Sequence, residues 1–201
     1  SVRGAMIQQG CLSACIKVEE GESEAEKKIV RVARHTVAKL LISTNPALLT
    51  SSQCMGSIPP LLALVRDSDA SDLMQFESLM ALTNLGSVGP ETKDRIVTGR
   101  GIAILGYAMF SDHLMVRRAA TEAMSNLVPH PKMMEHLADP EKMKLWLAFA
   151  SDFDENFECA RAAAGCLAMA SQDPNVASTM CGSKIFKSAT TSLLECGNLE
   201  L

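Results

Sequence analysis

Aromatic side chains are scarce in this chain: one Trp, one Tyr and six Phe make up 4% of 201 residues. Strands lean on aromatic and β-branched residues to fill a pleated surface, so the shortage argues for helices. No apolar run approaches the roughly 18 residues that a membrane-crossing helix needs. The sequence opens on Ser1-Val2-Arg3-Gly4, without the features of a secretory signal. Positive charge is not in excess either, since 19 Lys and Arg face 23 Asp and Glu for a net charge of -4. Such a chain has no general attraction for phosphate backbones, so neither nucleic acid nor membrane is an expected partner.

What is present is Leu, Ala, Met, Val and Ile, with hydrophobic residues at 47%. Seven cysteines, Cys11, Cys15, Cys54, Cys159, Cys166, Cys181 and Cys196, are odd in number and irregular in spacing. Most sit among Leu, Ala and Met, which reads as buried, reduced thiols of a cytoplasmic protein. Cys11 and Cys15 are spaced to share a helix face, but no second Cys or His pair follows to complete a zinc site. No metal and no cofactor is expected.

Repetition is the strongest pattern. Asn45-Pro46, Gly89-Pro90, His130-Pro131 and Asp173-Pro174 place prolines 44, 41 and 43 residues apart. That period falls in the range of roughly 40–47 residues of armadillo and HEAT units. Proline suits the first turn of a helix, where its missing N–H is no loss. Asn45 and Asp173 are good caps for such a start. Each proline is expected to open a short first helix, three of which end near Gly56, Gly99 and Gly182 through the left-handed conformation glycine tolerates. In the fourth unit Asp139-Pro140 instead starts the next helix. Second helices are expected over 11–19, 58–66, 102–110, 143–150 and 185–196. Ser23 and Glu26 form a capping-box pattern.

A third, longest helix closes each unit. The stretches beginning at Val32, Phe76, Arg118 and Arg161 overlie one another. Leu82, Met124 and Leu167 then align, as do Leu41, Leu85 and Leu127, which defines a face built to pack on its neighbours. The fold class expected is all-α: an armadillo-type repeat superhelix, a right-handed solenoid of three-helix units. It forms one stack with units at 1–45, 46–89, 90–130, 131–173 and 174–201. Neither end carries a polar capping repeat, so further repeats are expected to flank it in a longer protein.

Ala81-Leu82-Thr83-Asn84-Leu85 and Ala123-Met124-Ser125-Asn126-Leu127 resemble the third-helix signature of armadillo repeats. The run from Arg117 through Asn126-Leu127-Val128-Pro129-His130-Pro131 resembles a segment of the animal UCS-domain proteins, the myosin-directed chaperones. Arg161-Ala162-Ala163-Ala164-Gly165-Cys166-Leu167-Ala168-Met169 is similar to the same family at the same distance downstream, and Met80 to Leu85 upstream. The resemblance covers 57–184 well and is thinner before. It implies a segment that binds the myosin motor domain, assists its folding and prevents its aggregation. It also implies a cytoplasmic location, near the sarcomere in muscle. The heat-shock chaperone of ninety kilodaltons is expected to be reached only through a tetratricopeptide domain, which these residues do not contain.

In the armadillo fold the third helices line a concave wall, and the Asn position and the residue four before it look into the groove. The expected partner-binding residues are therefore Met80 with Asn84, Glu122 with Asn126, and Met169 with Gly165, and Arg118 and Arg161 lie one turn further back. Asn amides suit an extended backbone, Arg and Glu select charge, and Met adapts to irregular surfaces. Simpler roles stand beside these. Asn84 and Asn126 could bond loop carbonyls, Arg118 and Arg161 could pair with acidic neighbours, and most Met could fill the core. Trp146 and Tyr107 are expected to pack structurally.

No reaction is legible. Gly99-Arg100-Gly101 misses the dinucleotide fingerprint and is assigned to a helix–helix turn. His35, His113, His130 and His136 form no triad. Asp152, Asp154, Glu155 and Glu158 read as helix-start charges. Two non-enzymatic alternatives remain: an armadillo scaffold or transport adaptor that binds a linear peptide motif, for which the Asn ladder is interrupted, and a purely structural spacer.

Overall fold

The computed structural model describes residues 2–128 and 130–195. Pro129, within the UCS-like run, and Cys196, at the expected end of the last helix, lie outside the described residues, as does Ser1. Every regular element among the described residues is helical. The chain forms two compact units, one up to Ala123 and one from Met124 onward.

The first unit holds α1 (Val2–Gln8), α2 (Cys11–Ile16) and α3 (Glu24–Leu41), then a 3-10 turn (Pro46–Leu48), α4 (Ser51–Val65) and α5 (Asp72–Gly86). It continues with α6 (Pro90–Thr98), α7 (Gly101–Ala108) and most of α8 (Leu114–Ser125). The second unit holds the end of α8, then α9 (Pro131–Ala138), α10 (Pro140–Ser151), α11 (Phe153–Ala170), α12 (Pro174–Gly182) and α13 (Phe186–Glu195).

The four periodic prolines each take the first position of a helical turn. Asn45 accepts the Ala47 N–H, and Asp173 accepts those of Asn175 and Val176. His130 does the same with its ring, taking the Lys132 N–H on Nδ1 at 3.1 Å. Asp139 caps α10 through the Glu141 and Lys142 N–H groups, and Ser23 with Glu26 completes a capping box on α3. These contacts are local, so the sequence specifies them directly.

Three breaks differ from expectation. No helix ends at Gly56. The first helix of that repeat shrinks to the 3-10 turn, and α4 runs through Gly56, Pro59 and Pro60. The reason is a second capping box: Thr50 accepts the Gln53 N–H, and the Gln53 side chain accepts that of Thr50. At the α6–α7 turn, Arg100 rather than glycine takes the left-handed conformation, with φ 66. Gly99 and Gly101 answer to crowding instead. A Cβ on Gly99 would lie 2.8 Å from Leu62 Cδ1, and one on Gly101 would lie 2.5 Å from the Ile96 carbonyl oxygen. Gly182 likewise ends α12 without a left-handed cap.

The aligned apolar positions are all core. Ala38 and Leu41 on α3 and Leu82 and Leu85 on α5 are buried in the first unit. Met124, Leu127, Leu167 and Ala170 are buried in the second. Each fully buried Leu contributes about 1.5–3 kcal/mol relative to exposure. Trp146 is packed away on α10 at 2% exposure, as expected, but Tyr107 is 85% exposed. On α7 the buried face is Gly101, Leu105 and Ala108, and Tyr107 projects from the other side.

All six described cysteines are free thiols. Cys54, Cys159 and Cys166 are buried, Cys11 and Cys15 half-buried, and Cys181 exposed. Burial pushes the Cys166 thiol up to about 12, so it stays protonated and inert at neutral pH. Among the methionines only Met109, Met124, Met133 and Met143 are buried, so core filling accounts for a third of the twelve.

The two kinds of glycine in α7 are separable by mutation. Gly101→Ala forces a methyl group into the Ile96 backbone and should cost about 1–3 kcal/mol. Gly106 has nothing within 4 Å of an added Cβ, so Gly106→Ala should stabilise by about 0.5–1 kcal/mol. Urea unfolding should show the two midpoints moving in opposite directions.

Candidate functional site

The third helices of the first unit, α3, α5 and α8, carry one exposed stripe each. Residues three and four apart share a helix face, and the repeat register puts equivalent residues in rows. Ile29, Leu73 and Met115 form the row nearest the helix starts, at 61%, 57% and 42% exposure. Val32, Phe76 and Arg118 form the next, with Val32 exposed and the other two half-buried. Thr36, Met80 and Glu122 follow, all half-buried, and then buried Leu40 with half-buried Asn84. Exposure therefore rises toward the N-terminal half of each third helix.

The residues expected from sequence lie toward the C-terminal halves of these helices and do not include the exposed Ile29, Leu73 and Met115. A signal for them existed: the same repeat position is apolar in three successive units while lying off the buried seam. An exposed apolar residue by itself needs no explanation. Three at one register are a repeated feature of the surface.

The amide of Asn84 is already engaged. Its Nδ2 donates to the carbonyls of Leu41 at 3.2 Å and Ile42 at 2.9 Å, closing the C-terminal end of α3. Arg118 donates Nε to Glu122 Oε1 at 2.9 Å along the same helix. Such partly exposed i,i+4 pairs contribute only about 0.3–0.5 kcal/mol, so a partner's charge can displace them cheaply. Around the stripe, Arg31 binds Asp67 and Asp69 at 2.8 Å each, and His35 pairs with Glu77 between α3 and α5. These contacts fix α3 and the start of α5.

In the second unit, Asn126 lies half-buried in the turn after α8 rather than on a helix. Arg161, Gly165 and Met169 share the exposed face of α11, with Met169 at 48% exposure. Arg161 pairs with Glu158 at 2.7 Å. Of the four expected helix-start charges, Asp154 and Glu155 lie in the first turn of α11, Asp152 precedes it without a side-chain cap bond, and Glu158 lies further along the helix. The regular part of α11 begins only after Asn156, whose backbone is non-helical and whose Oδ1 accepts the Cys159 N–H at 3.3 Å. Among the described residues no three His, Cys, Asp or Glu side chains gather as a metal site, and no helix is long and apolar enough to cross a membrane.

Asn84→Ala should expose two helix-end carbonyls and lower stability by about 1–2 kcal/mol. Leu73→Ala, by contrast, should stay within about 0.5 kcal/mol of the parent. Thermal unfolding of both variants checks which of the two residues is structural.

No protein-family model matches the chain. Human UNC-45 homolog B is 31% identical over 170 residues, covering 83% of this chain and 18% of that protein. The chain thus spans about a fifth of the length of the curated relatives it matches. UNC-45 from Drosophila melanogaster superposes with a TM-score of 0.86 at 28% identity, over 98% of this chain and 25% of that one. A structure of the myosin chaperone UNC-45 from C. elegans, in complex with an Hsp90 peptide, superposes at 0.82 with 26% identity, over 98% and 22%. Another solved UNC-45, described as a chaperone that binds and folds muscle myosin, superposes at 0.84 with 25% identity, over 98% of this chain and 22% of that one. The chain is accordingly a homologue of the UNC-45 proteins, the animal UCS-domain family, over one armadillo-type segment of their length.

Proposed function

We propose that this segment binds the myosin motor domain, assists its folding and prevents its aggregation, and that it does so through the exposed faces of its third helices. The observation that carries the reading is the row Ile29, Leu73 and Met115, large apolar side chains left in solvent at one repeat register. A partly folded motor domain exposes apolar segments, and a row of flexible aliphatic anchors accepts them with little sequence bias. Arg118, Glu122 and Met80 beside the row, and Arg161 and Met169 on α11, add charge and adaptable contact. The segment acts in the cytoplasm and near the sarcomere in muscle. The heat-shock chaperone of ninety kilodaltons is engaged through a tetratricopeptide domain rather than through these repeats.

A peptide adaptor that reads backbone through an Asn ladder fits less well. Asn84 spends its amide on α3, and its equivalents are Leu40 and Met169 in the first and fourth repeats.

Replacing Ile29, Leu73 and Met115 together with Ser should leave the unfolding temperature nearly unchanged, because all three are exposed. At about 1 kcal/mol for each anchor, affinity for the motor domain should fall roughly a hundredfold. Tyr107→Ser, on the far side of α7, serves as the control and should bind as the parent does. Unchanged affinity in the triple variant would remove these residues from the interface.

A further inference from the structure

The turn between α4 and α5 has chemistry that client binding does not use. Asp67, Ser68 and Asp69 form its tip, and Ser71 caps α5. Asp67 is occupied: its carboxylate takes Arg31 Nε at 2.8 Å and the Asp69 N–H at 3.0 Å. Asp69 takes the other arm of Arg31 at 2.8 Å. The Ser71 hydroxyl accepts the Met74 N–H at 3.4 Å. Ser68 is exposed, and among the described residues its hydroxyl has no hydrogen-bond partner.

Ser68 also lines a cleft of about 320 Å³ that holds Lys27, Arg31, Arg34 and Arg66 against Glu20, Asp67 and Asp69, an excess of one cation. The three carboxylates are each matched by an arginine, Arg34 to Glu20 and Arg31 to both aspartates. Lys27 is held by Glu24 at 2.7 Å, whereas Arg66 is exposed and among the described residues has no carboxylate within ion-pair distance, so it is the cation that a new anion would meet.

We propose that Ser68 is a phosphorylation site for an acid-directed protein kinase, and that the phosphate is then held in cis by Arg66 with Lys27 and Arg34. The acceptor sits between Asp67 and Asp69, with Asp72 following, which is the negative charge pattern such a kinase reads from its substrate. In the transfer, Ser68 Oγ bonds to the γ-phosphorus of ATP and the bond to the β–γ bridging oxygen breaks. ADP leaves, and the hydroxyl proton passes to the kinase's base. The product adds a charge of about -1.5 to -2 and three strong acceptors. Asp67 and Asp69 would repel it if they were bare, but Arg31 pairs with both and offsets one of their two charges, and Arg66 stands beside them to offset the other. Arginine–phosphate contacts are bidentate and stronger than the exposed pairs they replace. Ser71 is the poorer acceptor because its hydroxyl is committed to the helix cap.

The full folded chain should be incubated with an acid-directed kinase and MgATP, the phosphate located by tandem mass spectrometry, and its ionisation followed by phosphorus NMR. The expected result is a single phosphate on Ser68, absent in Ser68→Ala. Its second pKa should lie about half a unit or more below the ordinary value near 6, and Arg66→Gln should return most of that shift. No transfer to Ser68 on the folded chain, transfer to Ser71 in its place, or a phosphate that titrates at the ordinary value and ignores Arg66→Gln would each overturn the proposal. Because none of these readouts involves myosin, the outcome is independent of the client assignment.

Discussion

A third helix in this fold cannot bury its apolar seam by itself, and the rest of the structure follows from that constraint. Leu82 and Leu85 on α5 need the helices packed around them, as do Ala38 and Leu41 on α3. α2 and α4 pack on α3, α4 and α6 on α5, and α10 on α11, covering those seams. In α8 and α11 the seam includes Ala119, Ala123, Ala163 and Ala170, whose small side chains let neighbours approach closely. A period set by prolines would serve no purpose if the apolar positions drifted, so both keep the same register.

Burying one seam at a fixed register leaves the opposite stripe repeating at the same register. Function can use that stripe at little cost to folding. Ile29, Leu73 and Met115 each forgo burial of about 1.5–3 kcal/mol that a core position would give. Their exposure is tolerable because the seams already supply the stability. The ion pairs Arg31–Asp67 and Arg31–Asp69 hold the turn that begins α5, and so set where Leu73 and Met80 stand.

What the sequence made legible was local chemistry. Proline at the first helical turn, Asn45 and Asp173 as caps, and the Ser23–Glu26 box depend on residues within one turn of each other, and they were read correctly. The seam residues Leu41, Leu85 and Leu127 were legible because periodicity alone places them. Gly56 misled because a glycine was taken as a stop while the Thr50–Gln53 box nearby already governed the helix. Tyr107 misled because the side of α7 that meets the core depends on long-range packing. Asn84 was read as facing a partner, with bonds to loop carbonyls as the simpler alternative, and its amide does bond the Leu41 and Ile42 carbonyls. The exposed row escaped notice because an apolar residue is core or surface only by virtue of what packs against it.

The central claim is that these repeats recognise an unfolding myosin motor domain. Light scattering of a heat-stressed motor domain, with and without this chain, tests it most directly, with an equally fragile unrelated protein as the control. Suppression of aggregation for the motor domain and not for the control is the expected result. Equal aggregation of the motor domain with and without the folded chain would contradict the claim.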